Sequence, residues 1–221
     1  MIKSVIIVAA GSGSRMGSDV PKQFMLLKNL PIIMHTINRF YSYDPEIRII
    51  MVLSANDIER WNTLKREFNF TVKHEVVTGG KTRTASVING LNKIENGIVG
   101  IHDGVRPLAS TALITTCFNQ AMIHSNAIPA IAVVDTIRET NGELSKQIDR
   151  ANLRQVQTPQ CFDAVKLKEA YLHSSGKSFT DDAGVFEAAG NKIHLIEGEK
   201  MNIKITDRVD LLIADAIFFS L

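Results

Sequence analysis

Strand-like apolar runs alternating with helix-patterned segments constrain this chain more than any other feature. "IKSVIIVAA", "IRIIMVLS", "TVKHEVVTG", "GIVGIHD" and "AIPAIAVVD" fall in order within the first 135 residues. The first is apolar almost throughout, as expected of a strand covered on both faces. Between the runs, apolar residues recur at helical spacing. Pro31 fits a first helical position, with Ile33, Ile37 and Phe40/Tyr41 behind it. Ala55–Phe68 reads as a second helix, and "TRTASVINGLNKI" as a third, with Val87, Leu91 and Ile94 on one face. "STALITTCFNQAMIH" reads as a fourth. This alternation predicts an α/β fold, a doubly wound, mostly parallel sheet with right-handed crossovers.

The rhythm breaks at residues 135–155, "DTIRETNGELSKQIDRANLRQ", which are polar, alternating and split by Asn141-Gly142. Asn-Gly between alternating runs is the strongest short hairpin signal, so this segment is expected to leave the sheet as a β-arm. The parallel pattern is expected to resume near "VQTPQCF". One helix then runs through Ala170, and another starts after Thr180-Asp181-Asp182. "KIHLIEG" is strand-like. Thr206 is expected to cap a last helix on which Val209, Leu212, Ile213 and Ala216 share a face. Residues 1–221 are read as a single domain carrying the arm.

A net charge of +2 is too small to argue for a nucleic-acid partner. The apolar runs are far too short to span a membrane. The chain enters its first strand pattern with no signal-peptide pattern, and Cys117 and Cys161 have no metal-ligand spacing. Both features suggest a cytoplasmic protein with two reduced thiols.

Chemistry concentrates in "VAAGSGSRMGSDVPKQF", residues 8–24. A P-loop would need a glycine five residues after Gly11, where Met16 stands, and its lysine would come long before Lys22. A dinucleotide fingerprint would fit Gly11 and Gly13 but also needs Gly where Met16 stands. The loop follows a strand, at the sheet edge where α/β proteins bind ligands. Its glycines let backbone N–H groups approach an anion, and Arg15 and Lys22 add charge suited to a polyphosphate. Asp103 ends a buried strand at the same edge. His102 beside it reads as a packed histidine, and Trp61 as core or rim.

The same loop resembles the signature of nucleotidyltransferases that activate sugar and polyol phosphates. Its "PKQF" form is similar to that of the cytidylyltransferases. "GGKTRTASVINGL" (79–91), "HDGVRP" (102–107), "DRANLRQVQTPQCF" (149–162), "FTDDAGVFEAAG" (179–190) and "EGEKMNIKIT" (197–206) follow in the family's order. Together they resemble the 2-C-methyl-D-erythritol 4-phosphate cytidylyltransferase family, which makes the cytidine diphosphate derivative of methylerythritol from CTP and releases pyrophosphate. The resemblance implies a Rossmann-like nucleotidyltransferase fold. "DGVRP" stands where that family often has "DAARP", which keeps ribitol-5-phosphate cytidylyltransferase as the alternative. A non-catalytic nucleotide-binding regulator is the reading from another class, and it has no need of transition-state cations.

By this resemblance Arg15, Lys22, Arg150 and Lys204 are catalytic. Ala9, Ala10, Gly11, Ser12 and Gly13 wrap the nucleotide together with Gly79, Gly80, Thr82, Arg83, Ser86, Asp103 and Gly104. Arg106, Thr136, Arg150, Thr158, Thr180 and Lys204 serve the acceptor phosphate. Asp103 is the expected metal-side carboxylate, for Mg²⁺ or another divalent cation bound mostly through CTP phosphates. The resemblance also implies a homodimer through residues 135–155, with CTP and a polyol phosphate as ligands and neither nucleic acid nor membrane as partner.

Overall fold

The structure is a computed structural model and describes residues 1–11, 20–174 and 179–218. The first half comprises β1 (Lys3–Ala9), β2 (Leu26–Leu27), β3 (Leu30–Pro31), α1 (Ile32–Tyr43), β4 (Arg48–Leu53), α2 (Ile58–Glu67), β5 (Glu75–Thr78), α3 (Arg83–Leu91) and β6 (Ile98–Asp103). Then come α4 (Thr111–His124), β7 (Asn126–Ala132), β8 (Ile137–Asn141), β9 (Leu144–Ile148), β10 (Arg154–Val156), β11 (Gln160–Asp163), α5 (Ala164–His173), α6 (Asp182–Ala188), β12 (Leu195–Glu197) and α7 (Arg208–Phe218).

The main sheet runs β10-β7-β11-β6-β1-β4-β5, with β12 also on β7. β1 lies parallel between β4 and β6, placing Val5 beside both Ile49 and Gly100. Its side chains alternate between two layers, as strand geometry requires. Val5 and Ile7 join Ile37 and Phe40 of α1, Trp61 of α2 and Phe118 of α4. Ile6 joins Val87 and Leu91 of α3, Leu167 of α5 and Phe186 of α6. Burial on both faces explains the nearly unbroken apolar run of this strand.

The doubly wound α/β reading holds, with four local corrections. First, β10 and β11 are antiparallel to β7, and β11 is antiparallel to β6, where a resumed parallel pattern was expected. The chain returns from the arm without a crossover helix, so antiparallel pairing is the direct way back into the sheet. Second, Pro31 pairs with Leu26 and precedes α1 instead of opening it. The β2–β3 turn has Lys28 and Asn29 both at positive φ (46° and 64°), a hairpin geometry with no Gly to announce it. Third, the cap of α7 is Asp207, whose Oδ1 accepts from the Val209 and Asp210 amides at 2.8 and 3.0 Å. Thr206 instead donates its amide and hydroxyl to Asp210 Oδ2.

Fourth, α7 presents Val209, Leu212 and Ile213 to solvent and packs through Leu211, Ala214, Ile217 and Phe218. The helix is apolar on most sides, so periodicity could not choose its inner face.

The arm forms as expected. Among the described residues β8 and β9 pair only with each other, and they are largely exposed. Asn141 pairs with Leu144, so the turn is centred on Gly142 and Glu143, with Gly142 at φ +61°. Glycine at the first central position suits a two-residue hairpin loop.

Candidate active site

From β1 the sheet grows through β4 to β5, and α3 then carries the chain back to β6 on the other side of β1. Loops leaving the carboxyl ends of β1 and β6 therefore diverge, and α/β sheets bind ligands at such a switch point. A cleft of about 450 Å³ opens there. Among the described residues it is lined by Val8, Ala9, Ala10, Gly11, Lys22, Gln23, Gly80, Lys81, Thr82, Arg83, Ser86, Asp103, Val105 and Lys204. Ser12, Gly13 and Arg15 lie outside the described residues.

Gln23 holds the two ends of the opening loop near each other. Its buried amide donates to the Ala9 carbonyl at 3.0 Å and to the Gly11 carbonyl at 3.3 Å. Phe24, also buried, anchors the same short 3₁₀ turn, Lys22–Phe24, which places Lys22 at the cleft.

The opposite wall is the Gly79-Gly80 turn into α3. A Cβ on Gly79 would lie 2.6 Å from the Ala10 Cβ and 2.9 Å from the Ser86 Oγ, so only glycine lets this turn approach β1. The hydroxyls expected to recognise a base are engaged within the wall. Ser86 Oγ accepts from the Gly80 amide and donates to the Thr82 carbonyl, and Thr82 Oγ1 caps α3 at the Ala85 amide. These bonds set the shape of the wall, and both residues also line the cleft. Gly104 has a similar role beyond β6, because its Cβ would lie 2.9 Å from the Ala9 Cβ.

Asp103 is the acidic centre of the cleft. Lys204 Nζ lies 3.0 Å from its Oδ2, and Arg106 Nε lies 3.5 Å from the same oxygen. Burial alone would raise its pKa, but Lys204, Arg106 and Arg83 outweigh burial and bring it to about 2. Asp103 is thus ionised at neutral pH. His102 is fully buried; its Nδ1 meets the Thr158 hydroxyl at 3.0 Å and its Nε2 meets the Arg106 carbonyl at 3.1 Å. Burial lowers its pKa to about 4, so it stays neutral and structural, as its sequence context suggests.

Of the expected acceptor-side residues, only Lys204 lines this cleft. Arg106 is buried and donates to the Asn202 carbonyl at 2.7 Å, which ties down the segment carrying Lys204. Thr158 is buried too, and its hydroxyl also accepts from the Asp103 amide. Thr180 is exposed ahead of Asp181, the cap of α6. Thr136 and Arg150 are exposed on and beside the arm, outside the cleft lining.

Sequence reasoning passed over the amides that hold this site. Gln157 Nε2 donates to the Glu199 carbonyl, and Asn202, fully buried, donates to the Thr158 carbonyl at 2.8 Å. Both stand in quoted motifs, yet neither charge nor periodicity distinguishes a buried amide from a surface one. Asp182 and Tyr171 escape notice because nothing in the sequence shows that they meet each other and Arg83.

Among the described residues the cleft carries Lys22, Lys81, Arg83 and Lys204 against one carboxylate. Such a balance suits a polyphosphate, and its position at the switch point, beside a loop matching neither common phosphate motif, places the chain among the α/β nucleotidyltransferases. The model of the family described as 2-C-methyl-D-erythritol 4-phosphate cytidylyltransferase matches residues 3–220. The chain is 44% identical over 218 residues to that enzyme from Bacteroides fragilis, covering 98% of this chain and 100% of the relative. Identity to the enzyme from Bacteroides thetaiotaomicron is 45%, again over 218 residues, with the same shares of the two chains. The solved structure of 2-C-methyl-D-erythritol 4-phosphate cytidylyltransferase from Thermus thermophilus superposes with a TM-score of 0.83 at 29% identity, covering 98% of each chain. The chain belongs to the 2-C-methyl-D-erythritol 4-phosphate cytidylyltransferase family.

Proposed function

We propose that this chain transfers the cytidylyl group of CTP to 2-C-methyl-D-erythritol 4-phosphate, a step of non-mevalonate isoprenoid precursor synthesis. The observation that carries the reading is the Asp103–Lys204 ion pair, set in a cation-lined cleft at the switch point of a sheet matched over its whole length by this family.

An oxygen of the acceptor phosphate attacks the α-phosphorus of CTP in line. The new O–Pα bond forms as the bond to the β-phosphate oxygen breaks, and its electron pair leaves with pyrophosphate. The nucleophile is already anionic, so no general base is needed. The barrier is electrostatic, and cations fixed before reaction lower it most. Lys22 faces the triphosphate from the loop side, Arg15 has the same role by resemblance, and Lys204 faces the acceptor phosphate from the β6 side. Asp103 holds Lys204 in place.

A divalent cation fits this donor set. Lys204 and Arg106 both sit on Asp103 Oδ2, leaving Oδ1 without a hydrogen bond among the described residues. Those residues hold no group of three or more potential His, Cys, Asp or Glu ligands, and Mg²⁺ commonly takes one or two carboxylates plus phosphate oxygens. When bound, it would offset charge on the triphosphate.

The acceptor side is completed by a second copy of the chain. The arm is a lone two-stranded hairpin, largely exposed, and such hairpins are marginal in water. Exchange of arms across a two-fold axis would cover it and bring Arg150, with Thr136, to the partner's cleft. The reaction is assigned to the cytoplasm, where CTP is made.

Pyrophosphate release with the two candidate acceptors tests the reading. Methylerythritol phosphate is expected to exceed ribitol 5-phosphate by at least about 10²-fold in kcat/KM, since the wrong polyol leaves buried polar groups unpaired. Preference for ribitol phosphate would move the chain to the sister activity.

A further inference from the structure

Arg83 is the first residue of α3 and lines the cleft beside the Gly79-Gly80 turn. It does not stand there alone. Its NH2 lies 2.5 Å from Oδ2 of Asp182, the first residue of α6. Asp182 is wholly buried, and its other oxygen accepts from the Tyr171 hydroxyl at 2.5 Å. Its backbone amide donates to Gln160 Oε1 at 3.2 Å, so the carboxylate is fixed through its main chain as well. We infer that Asp182 is a positioning residue for nucleotide binding, its buried carboxylate holding Arg83 in the cleft wall while Tyr171 holds the carboxylate.

Arginine has a long, rotamer-rich side chain whose ordering opposes binding. Pairing with Asp182 orders it before the ligand arrives. The pairing uses one edge of the guanidinium. Nε and NH1 make no other hydrogen bond among the described residues and are free to meet an anionic or carbonyl oxygen of the nucleotide. Burial opposes the charge on Arg83, but the Asp182 ion pair outweighs it and raises the pKa, so the guanidinium stays charged. A carboxylate with no solvent access that reaches a cleft-lining arginine thus acts on the ligand through that arginine. The inference rests on the cleft being the CTP site.

A double-mutant cycle read by CTP binding separates this role from simple fold support. Isothermal titration with CTP is run on the wild type, Asp182→Asn, Arg83→Ala and the double variant, with a thermal melt of each. Asp182→Asn is expected to weaken CTP binding about tenfold, the loss of one charge-assisted hydrogen bond. The double variant should bind like Arg83→Ala within about twofold, because Asp182 has nothing left to position. Multiplying losses would overturn the inference.

Tyr171→Phe keeps the test open if the charge variants fail to fold. It should raise the KM for CTP by about two- to fivefold, a fraction of the carboxylate's own effect, and leave the KM for the acceptor unchanged. A lower melting temperature with an unchanged KM for CTP would also overturn it. Wild-type protein that does not bind CTP would instead remove the function reading on which the inference stands.

Discussion

Lys22→Ala is expected to lower kcat by about 10²–10³-fold, the range found for removing one fixed transition-state donor. The KM for CTP should move far less. Lys22 lines the cleft at the start of a turn whose next two residues, Gln23 and Phe24, are buried. Its backbone is therefore set by the core and by the Gln23 bonds to Ala9 and Gly11. A cation carried on a backbone fixed this way has less to reorganise as charge on the α-phosphate grows. It stabilises the transition state more than the ground state, and only that difference raises the rate of the chemical step. Steady-state kinetics at saturating acceptor, with a melt to confirm folding, give the answer. A kcat within a fewfold of wild type, even with a raised KM, would make Lys22 a binding residue only.

Mixing two inactive variants should restore activity. Arg150→Ala and Lys204→Ala are each expected to be nearly inactive. In an arm-exchanged dimer, every site takes Lys204 from one chain and Arg150 from the other. A heterodimer of the two variants then has one site with both lesions and one with neither. Co-folded heterodimers should recover up to half of wild-type activity per dimer. If Arg150 served its own chain, every heterodimer site would keep one lesion and mixing would restore nothing. The single chain gives the motive, because Lys204 sits on Asp103 inside the cleft while Arg150 lies exposed beside the arm and outside the cleft lining. Heterodimers shown to be present without recovered activity would rule out the shared site and leave the cytidylyl-transfer chemistry standing.

What could be read from the sequence, and what could not, follows from where the signals lie. β1, β4 and β6 were legible because burial on both faces leaves an apolar run that few other structures require. The arm was legible through Asn141-Gly142 and its alternating polarity. The return path was not. Nothing in "VQTPQCF" distinguishes a parallel from an antiparallel strand, since the direction of β10 and β11 depends on where the arm lets the chain re-enter. At the site, Asp103 is legible from its place at the end of a buried strand and Lys204 through the family motif, and the structure pairs them. Thr82, Ser86, Thr158 and Arg106, read as ligand contacts, also bond within the protein, and Thr82 and Ser86 line the cleft. A hydroxyl or guanidinium in a motif reads the same whether it meets a substrate or a neighbouring carbonyl. Gln23, Asn202 and Asp182 show the converse, as motif residues whose work is to hold other motif residues.

In cytidylyl transfer the α-phosphorus of CTP, with its cytidine, moves to the acceptor phosphate. CTP labelled with ³²P at the α position, and separately at the γ position, tests it directly with methylerythritol phosphate as acceptor. α-Label is expected in a new cytidine diphosphate ester of the polyol, and γ-label only in pyrophosphate. Release of α-label as free CMP at the same rate with or without acceptor, or transfer of γ-label to the polyol phosphate, would contradict it.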